Sequence, residues 1–138
     1  MYPSTEALSN KWTATLLVVD DQEQNLDFFR SALESNYRLW LAQSGAQACE
    51  FARLGLPDLV LLDVMMPHQD GFATAQALGT IPGMDKVPLI FLTALSDDKT
   101  REFGLELGAV DFLIKPIRLA ALRQSIAKAL LGNKQAEV

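Results

Sequence analysis

Apolar residues along this chain fall into five short blocks, Thr15 to Val19, Tyr37 to Ala42, Leu59 to Val64, Val87 to Thr93 and Asp111 to Ile114. They are rich in Val, Ile and Leu and mostly do not alternate with polar residues. Such runs predict strands of a parallel sheet covered on both faces. The segments between them carry helical spacing instead. Leu26, Phe29 and Leu33 form one stripe, and Leu119, Leu122, Ile126 and Leu130 another, at steps of three or four.

Local punctuation supports the same alternation. Ser44 with Gln47 three residues later reads as a capping box that opens the second helix, and Gly55 before Pro57 as its end. Gly108 is expected to close the fourth helix and Gly132 the fifth. Five strands alternating with five helices imply right-handed crossovers and a three-layer α/β/α sandwich. The expected sheet is doubly wound and flavodoxin-like, with five parallel strands in the order 2-1-3-4-5.

Length and composition agree with one domain. The 138 residues, 49% of them hydrophobic, suffice for a single core. Residues 1–14 are expected to be an N-terminal extension in which Trp12 packs back on the body, 15–132 the folded domain, and 133–138 a polar tail or the start of a linker. A net charge of −5 with no basic run argues against direct nucleic-acid binding. No apolar run approaches the roughly 18 residues that span a bilayer, and the N-terminus has no secretory pattern. A cytoplasmic location without membrane contact is expected. The single cysteine, Cys49, is expected to pack as a reduced, buried thiol.

Chemistry concentrates where the strands end. LLVVDD closes on Asp20 and Asp21, LVLLDV carries Asp63, PLIFLTA carries Thr93, and FLIKP carries Lys115. Ligands of open α/β sheets bind outside the carboxyl ends of the strands, so these residues are expected to meet. Two carboxylates ~5 Å apart repel by roughly 3 kcal/mol at an effective dielectric near 20, and a third needs neutralising. A divalent cation held by oxygen ligands, Mg²⁺ rather than zinc, would do so. Taken singly, the aspartate pair reads as a helix cap beside a solvated neighbour, Thr93 as a strand residue and Lys115 before Pro116 as a turn. Asp63 inside an apolar run is harder to explain structurally, because an unpaired buried carboxylate is costly.

The stretches VVDDQEQNL, DLVLLDVMMPHQDGF, PLIFLTAL and LGAVDFLIKPI, in that order and spacing, resemble the receiver domain of bacterial two-component response regulators. The resemblance runs from about Thr15 to Leu131. It implies that Asp63 accepts a phosphoryl group, with Thr93 and Lys115 contacting that group. It also implies that Asp21, Asp63 and the backbone carbonyl of Met65 bind Mg²⁺ directly and Asp20 through water, with Mn²⁺ able to substitute. Phe112 would be the aromatic residue that turns inward with Thr93 on activation, and the Lys115–Pro116 peptide is expected to be cis. Apolar Met65 and Leu95, flanking the phosphoryl group, are expected to lengthen its lifetime.

The same resemblance implies partners. A sensor histidine kinase or a histidine phosphotransfer protein would donate the phosphoryl group, so His68 reads as a solvated loop residue and not as the phosphohistidine. Gln69 replaces an apolar residue common in that loop. The output would pass through the face made by the fourth helix, fifth strand and fifth helix, to an effector protein or a fused output domain. That face, with Arg101, Arg118 and Arg123, is also a candidate homodimer contact. The chain is thus expected to be a phosphoacceptor regulatory domain rather than an enzyme in the ordinary sense, although the family catalyses its own phosphorylation from small donors and its own dephosphorylation. Two alternatives share the architecture: a pseudo-receiver acting as an interaction scaffold, and a flavodoxin-type ligand-binding module. Asp20 and Asp21 oppose the second, since they stand where a cofactor phosphate needs donors. A haloacid-dehalogenase-like phosphatase would need an acid where Met65 stands.

Overall fold

The computed structural model describes residues 14–66, 70–94 and 98–137, with side chains as far as residue 132. Expectations for Trp12, His68, Gln69 and Leu95 lie outside the described residues. The strands are β1 (Thr15–Val19), β2 (Arg38–Ala42), β3 (Leu59–Asp63), β4 (Leu89–Thr93) and β5 (Asp111–Ile114), and the helices α1 (Glu23–Leu33), α2 (Gly45–Leu54), α3 (Gly71–Gly79), α4 (Asp98–Glu106) and α5 (Leu119–Glu137). A single 3-10 turn, Met84–Lys86, precedes β4.

All neighbouring strands pair in parallel, in the order β2-β1-β3-β4-β5. The absence of alternation in the apolar runs has the predicted cause: both sheet faces are covered. Leu17, Val19, Val60, Leu62, Phe91 and Phe112 pack with α2 and α3 residues such as Ala48, Cys49 and Leu78. Leu16, Val18, Leu59, Leu61, Ile90 and Leu92 pack on the opposite face with Leu26, Phe29 and Leu33 of α1 and with Leu122 and Ile126 of α5. Each such side chain removed from water contributes about 1.5–3 kcal/mol. Cys49 is a buried free thiol, as expected.

Helix ends follow local chemistry with two departures. The Ser44 hydroxyl accepts the Gln47 N–H at 3.1 Å, while the Gln47 side chain accepts the Gln43 N–H at 2.8 Å. Gly108 has φ +98°, and the N–H groups of Gly108 and Ala109 donate to the carbonyls of Leu105 and Gly104, closing α4 in a Schellman motif. Gly55 ends α2 in an extended conformation, φ −177°, so its stop comes from the turn into Pro57 and not from a left-handed residue. Gly132 does not end the last helix. The α5 backbone runs on to Glu137, and Gly132 is not among the positive-φ residues.

Candidate functional site

Parallel register places the ends of β1, β3, β4 and β5 side by side. Val19 pairs with Leu62, Asp63 with Leu92, and Thr93 with Ile114. Asp20, Asp63 and Thr93 therefore emerge at adjacent strand ends, and all are buried. Lys115 follows β5 directly, its N–H donating to the Thr93 carbonyl at 2.7 Å, and its bond to Pro116 is cis.

The lysine joins two of the carboxylates. Its Nζ lies 3.3 Å from Oδ1 of Asp63 and 3.5 Å from Oδ2 of Asp20. One carboxylate oxygen from each of Asp20, Asp21 and Asp63 lies within 4.8 Å of the others. Three carboxylates facing one ammonium leave two negative charges uncompensated, which a divalent cation would neutralise. Burial pushes the Asp63 carboxyl above its ordinary value; Lys115 opposes this, the Asp20 charge adds to it, and the Met65 N–H donating to Oδ1 at 3.3 Å opposes it again. The oxygen-only donor set and its excess charge fit Mg²⁺.

Supporting residues that the motif reading did not single out hold these groups in place. Oδ1 of Asp20 accepts the Gln22 N–H at 2.9 Å and Oδ2 accepts from Nδ2 of Asn25 at 3.1 Å, which leaves the carboxylate little freedom to rotate. Asn25 was findable as a polar residue in the first turn of α1, five residues after Asp20. On the other flank Gly71 donates its N–H to the Val64 carbonyl at 2.7 Å. A Cβ there would lie 2.3 Å from the Asp63 carbonyl oxygen, so only glycine lets α3 begin against this strand end. Asp70 caps the same helix through the Ala73 N–H at 2.7 Å, and the pair Asp70-Gly71 was its signal.

The remaining expected residues divide. Met65 is 56% exposed, beside Asp63 at the surface, and Leu95 lies outside the described residues. Phe112 is only 5% exposed, its ring already packed inward against Phe91 at 5.3 Å. An inward turn is therefore not needed to reach this arrangement. Arg123 donates to the Ala32 carbonyl of α1 at 3.4 Å, which directs it away from the α4-β5-α5 face.

A doubly wound parallel sheet in this order carries three acids and a lysine at its carboxyl edge, where α/β domains of this class bind their ligands. The sequence pattern of the response regulator receiver domain matches residues 16–127, and the chain belongs to that family. It is 34% identical over 124 residues to a probable cyclic di-GMP phosphodiesterase of Vibrio cholerae, covering 90% of this chain and 28% of that protein. It is 42% identical over 106 residues to response regulator PleD of Caulobacter vibrioides, covering 76% of this chain and 23% of that protein. The chain thus spans about a quarter of the length of these curated relatives. Among solved structures, the receiver domain of sensor histidine kinase PA1611 from Pseudomonas aeruginosa, with magnesium coordinated in its active-site cleft, superposes with a TM-score of 0.77 at 30% identity, covering 85% of this chain and 97% of that one.

Proposed function

We propose that this chain is a phosphorylation-controlled switch in which Asp63 is the phosphoacceptor. The observation that carries this reading is the Lys115 ammonium held between Asp63 and Asp20 beside the third carboxylate, Asp21. A buried, lysine-paired aspartate at a strand end is a nucleophile with charge compensation beside it. Asp20, Asp21, Asp63 and the Met65 carbonyl would hold Mg²⁺, or Mn²⁺ in its place. When bound, the cation supplies the charge neutralisation that lets two anions approach.

The chain's own residues account for the rest. An Asp63 carboxylate oxygen attacks phosphorus, a bond from that oxygen to phosphorus forms, and the bond to the donor nitrogen of a phosphohistidine breaks. Lys115 and the Thr93 hydroxyl stabilise the equatorial oxygens, and Asn25 keeps Asp20 oriented. The donor is a sensor histidine kinase or a histidine phosphotransfer protein. Phosphorylation then biases a two-state element comprising Thr93, Phe112 and the surface of α4, β5 and α5. Ile114 and Leu119, 42% and 38% exposed, offer that surface an apolar contact for an effector, a fused output domain or a second copy. Among the described residues no helix is long and apolar enough to cross a membrane.

Labelling with acetyl phosphate tests the reading. Wild type should gain one phosphoryl group only when Mg²⁺ is present, and Asp63→Asn should gain none. Equal labelling of the variant would overturn the assignment.

A further inference from the structure

Gly104 lies within α4, far from any backbone conformation that demands glycine: its φ is not positive. Glycine inside a helix is about 1 kcal/mol less favourable than alanine, so its presence needs another reason. The reason is the Phe112 ring. A Cβ on Gly104 would lie 2.1 Å from Cε2 and 2.9 Å from Cζ of Phe112, and 3.1 Å from Cδ2 of Phe91. The ring edge occupies the space a side chain would fill.

The neighbouring rings close this contact into a circuit. Phe103, next to Gly104 on α4, meets Phe72 of α3 edge-on at 4.8 Å, Phe72 meets Phe91 of β4 at 5.0 Å, and Phe91 meets Phe112 of β5 at 5.3 Å. From Phe112 the chain of contacts returns to α4 through the notch at Gly104. We infer that Gly104 is the positioning residue for Phe112: the bare helix surface seats the ring, so that the inward ring and the docking of α4 on the sheet form a single coupled arrangement. Packed interiors shift between discrete arrangements rather than deforming smoothly, so a ring that leaves its seat takes the α4 contact with it. The seat itself rests on packing; its regulatory meaning rests on the phosphoacceptor reading above.

Four chains decide it: wild type, Gly104→Ala, Phe112→Ala and Gly104→Ala/Phe112→Ala, each labelled with fluorophenylalanine and followed by ¹⁹F NMR and thermal melting. The Phe112 resonance, assigned by its loss in Phe112→Ala, should be shielded from a soluble paramagnetic agent in wild type and become accessible in Gly104→Ala. Gly104→Ala should lower the melting temperature of wild type, whereas in the Phe112→Ala background the same change should leave it level or raise it. An equal drop in both backgrounds, or a ring still shielded in Gly104→Ala, overturns the inference. Should Gly104→Ala not fold, the comparison of the double variant with Phe112→Ala decides alone: a double variant that melts lower overturns the inference. Acetyl phosphate labelling of wild type reads the phosphoacceptor role separately, so failure of one claim leaves the other standing.

Discussion

The Lys115 ammonium sits 3.3 Å from the Asp63 carboxylate, which places a resident cation beside the cluster where a divalent ion would bind. Lysine and metal therefore compete electrostatically for the same carboxylates. Replacing Lys115 by Met should tighten Mg²⁺ binding by about tenfold or more, because a unit charge a few ångströms away is worth several kcal/mol at intermediate dielectric. It should also abolish labelling by acetyl phosphate. Calorimetric titration measures the first effect, and weaker Mg²⁺ binding by the variant would refute the competition.

Asp63 carries a pH signature of its own. Burial holds its carboxyl above the ordinary value of 3.8, so the folded chain releases that proton at higher pH than the unfolded chain. Between the two values the folded state binds more protons, and stability falls as pH rises. Below 3.8 the penalty is absent, and above the folded pKa it is complete. In EDTA at pH 7, Asp63→Asn should melt above wild type, and the gap should close as pH drops below that lower limit. Parallel melting curves across the window would contradict this.

Gly71 is the tightest backbone approach at the site. The Cβ of Gly71→Ala would meet the Asp63 carbonyl oxygen and the Val64 Cα, which are main-chain atoms unable to step aside. Overpacking of this kind destabilises by roughly 1–3 kcal/mol. Chemical denaturation should show that loss together with weakened Mg²⁺ binding. An unchanged denaturation midpoint would show that the loop can yield.

Thr74, fully buried on α3, has a hydroxyl with no hydrogen-bond partner. Valine has nearly the same shape without the unsatisfied group, so Thr74→Val should stabilise the fold by about 1 kcal/mol. A lower melting temperature for the variant would mean that the hydroxyl has a partner after all.

Met65 offers a water molecule no hydrogen-bonding side chain beside Asp63. Asparagine at this exposed position would help to orient such a water, so phosphorylated Met65→Asn should lose its label several-fold faster, by about 1 kcal/mol on the net scale of one hydrogen bond. Timed decay of radiolabelled protein checks this, and equal or slower decay rejects it.

The strands were legible because their burial on both faces leaves an unmistakable apolar imprint, as in Leu59–Asp63, every residue of which is buried. The acids and the lysine were legible because each interrupts or ends such a run. Glycines were not, because one residue type serves several purposes. Gly108 does what its position after a helix suggests, adopting positive φ, whereas Gly132 stands inside a continuing helix with nothing within 4 Å of its missing Cβ. Gly104 and Gly71 have meaning only through Phe112 and the Asp63 backbone, partners eight residues away in the chain in both cases that the fold brings into contact with them. No local pattern encodes an empty space kept for a distant ring.

The unbroken course of α5 past Gly132 has a mechanical implication. Nineteen helical residues make a rod of roughly 28 Å at 1.5 Å per residue, anchored to the sheet by Leu122 and Ile126. Cargo spliced onto such a rod would be held by a lever rather than a swivel, and each residue inserted at the joint would rotate it by about 100°. Engineers joining a sensor or reporter there should find its performance periodic in linker length.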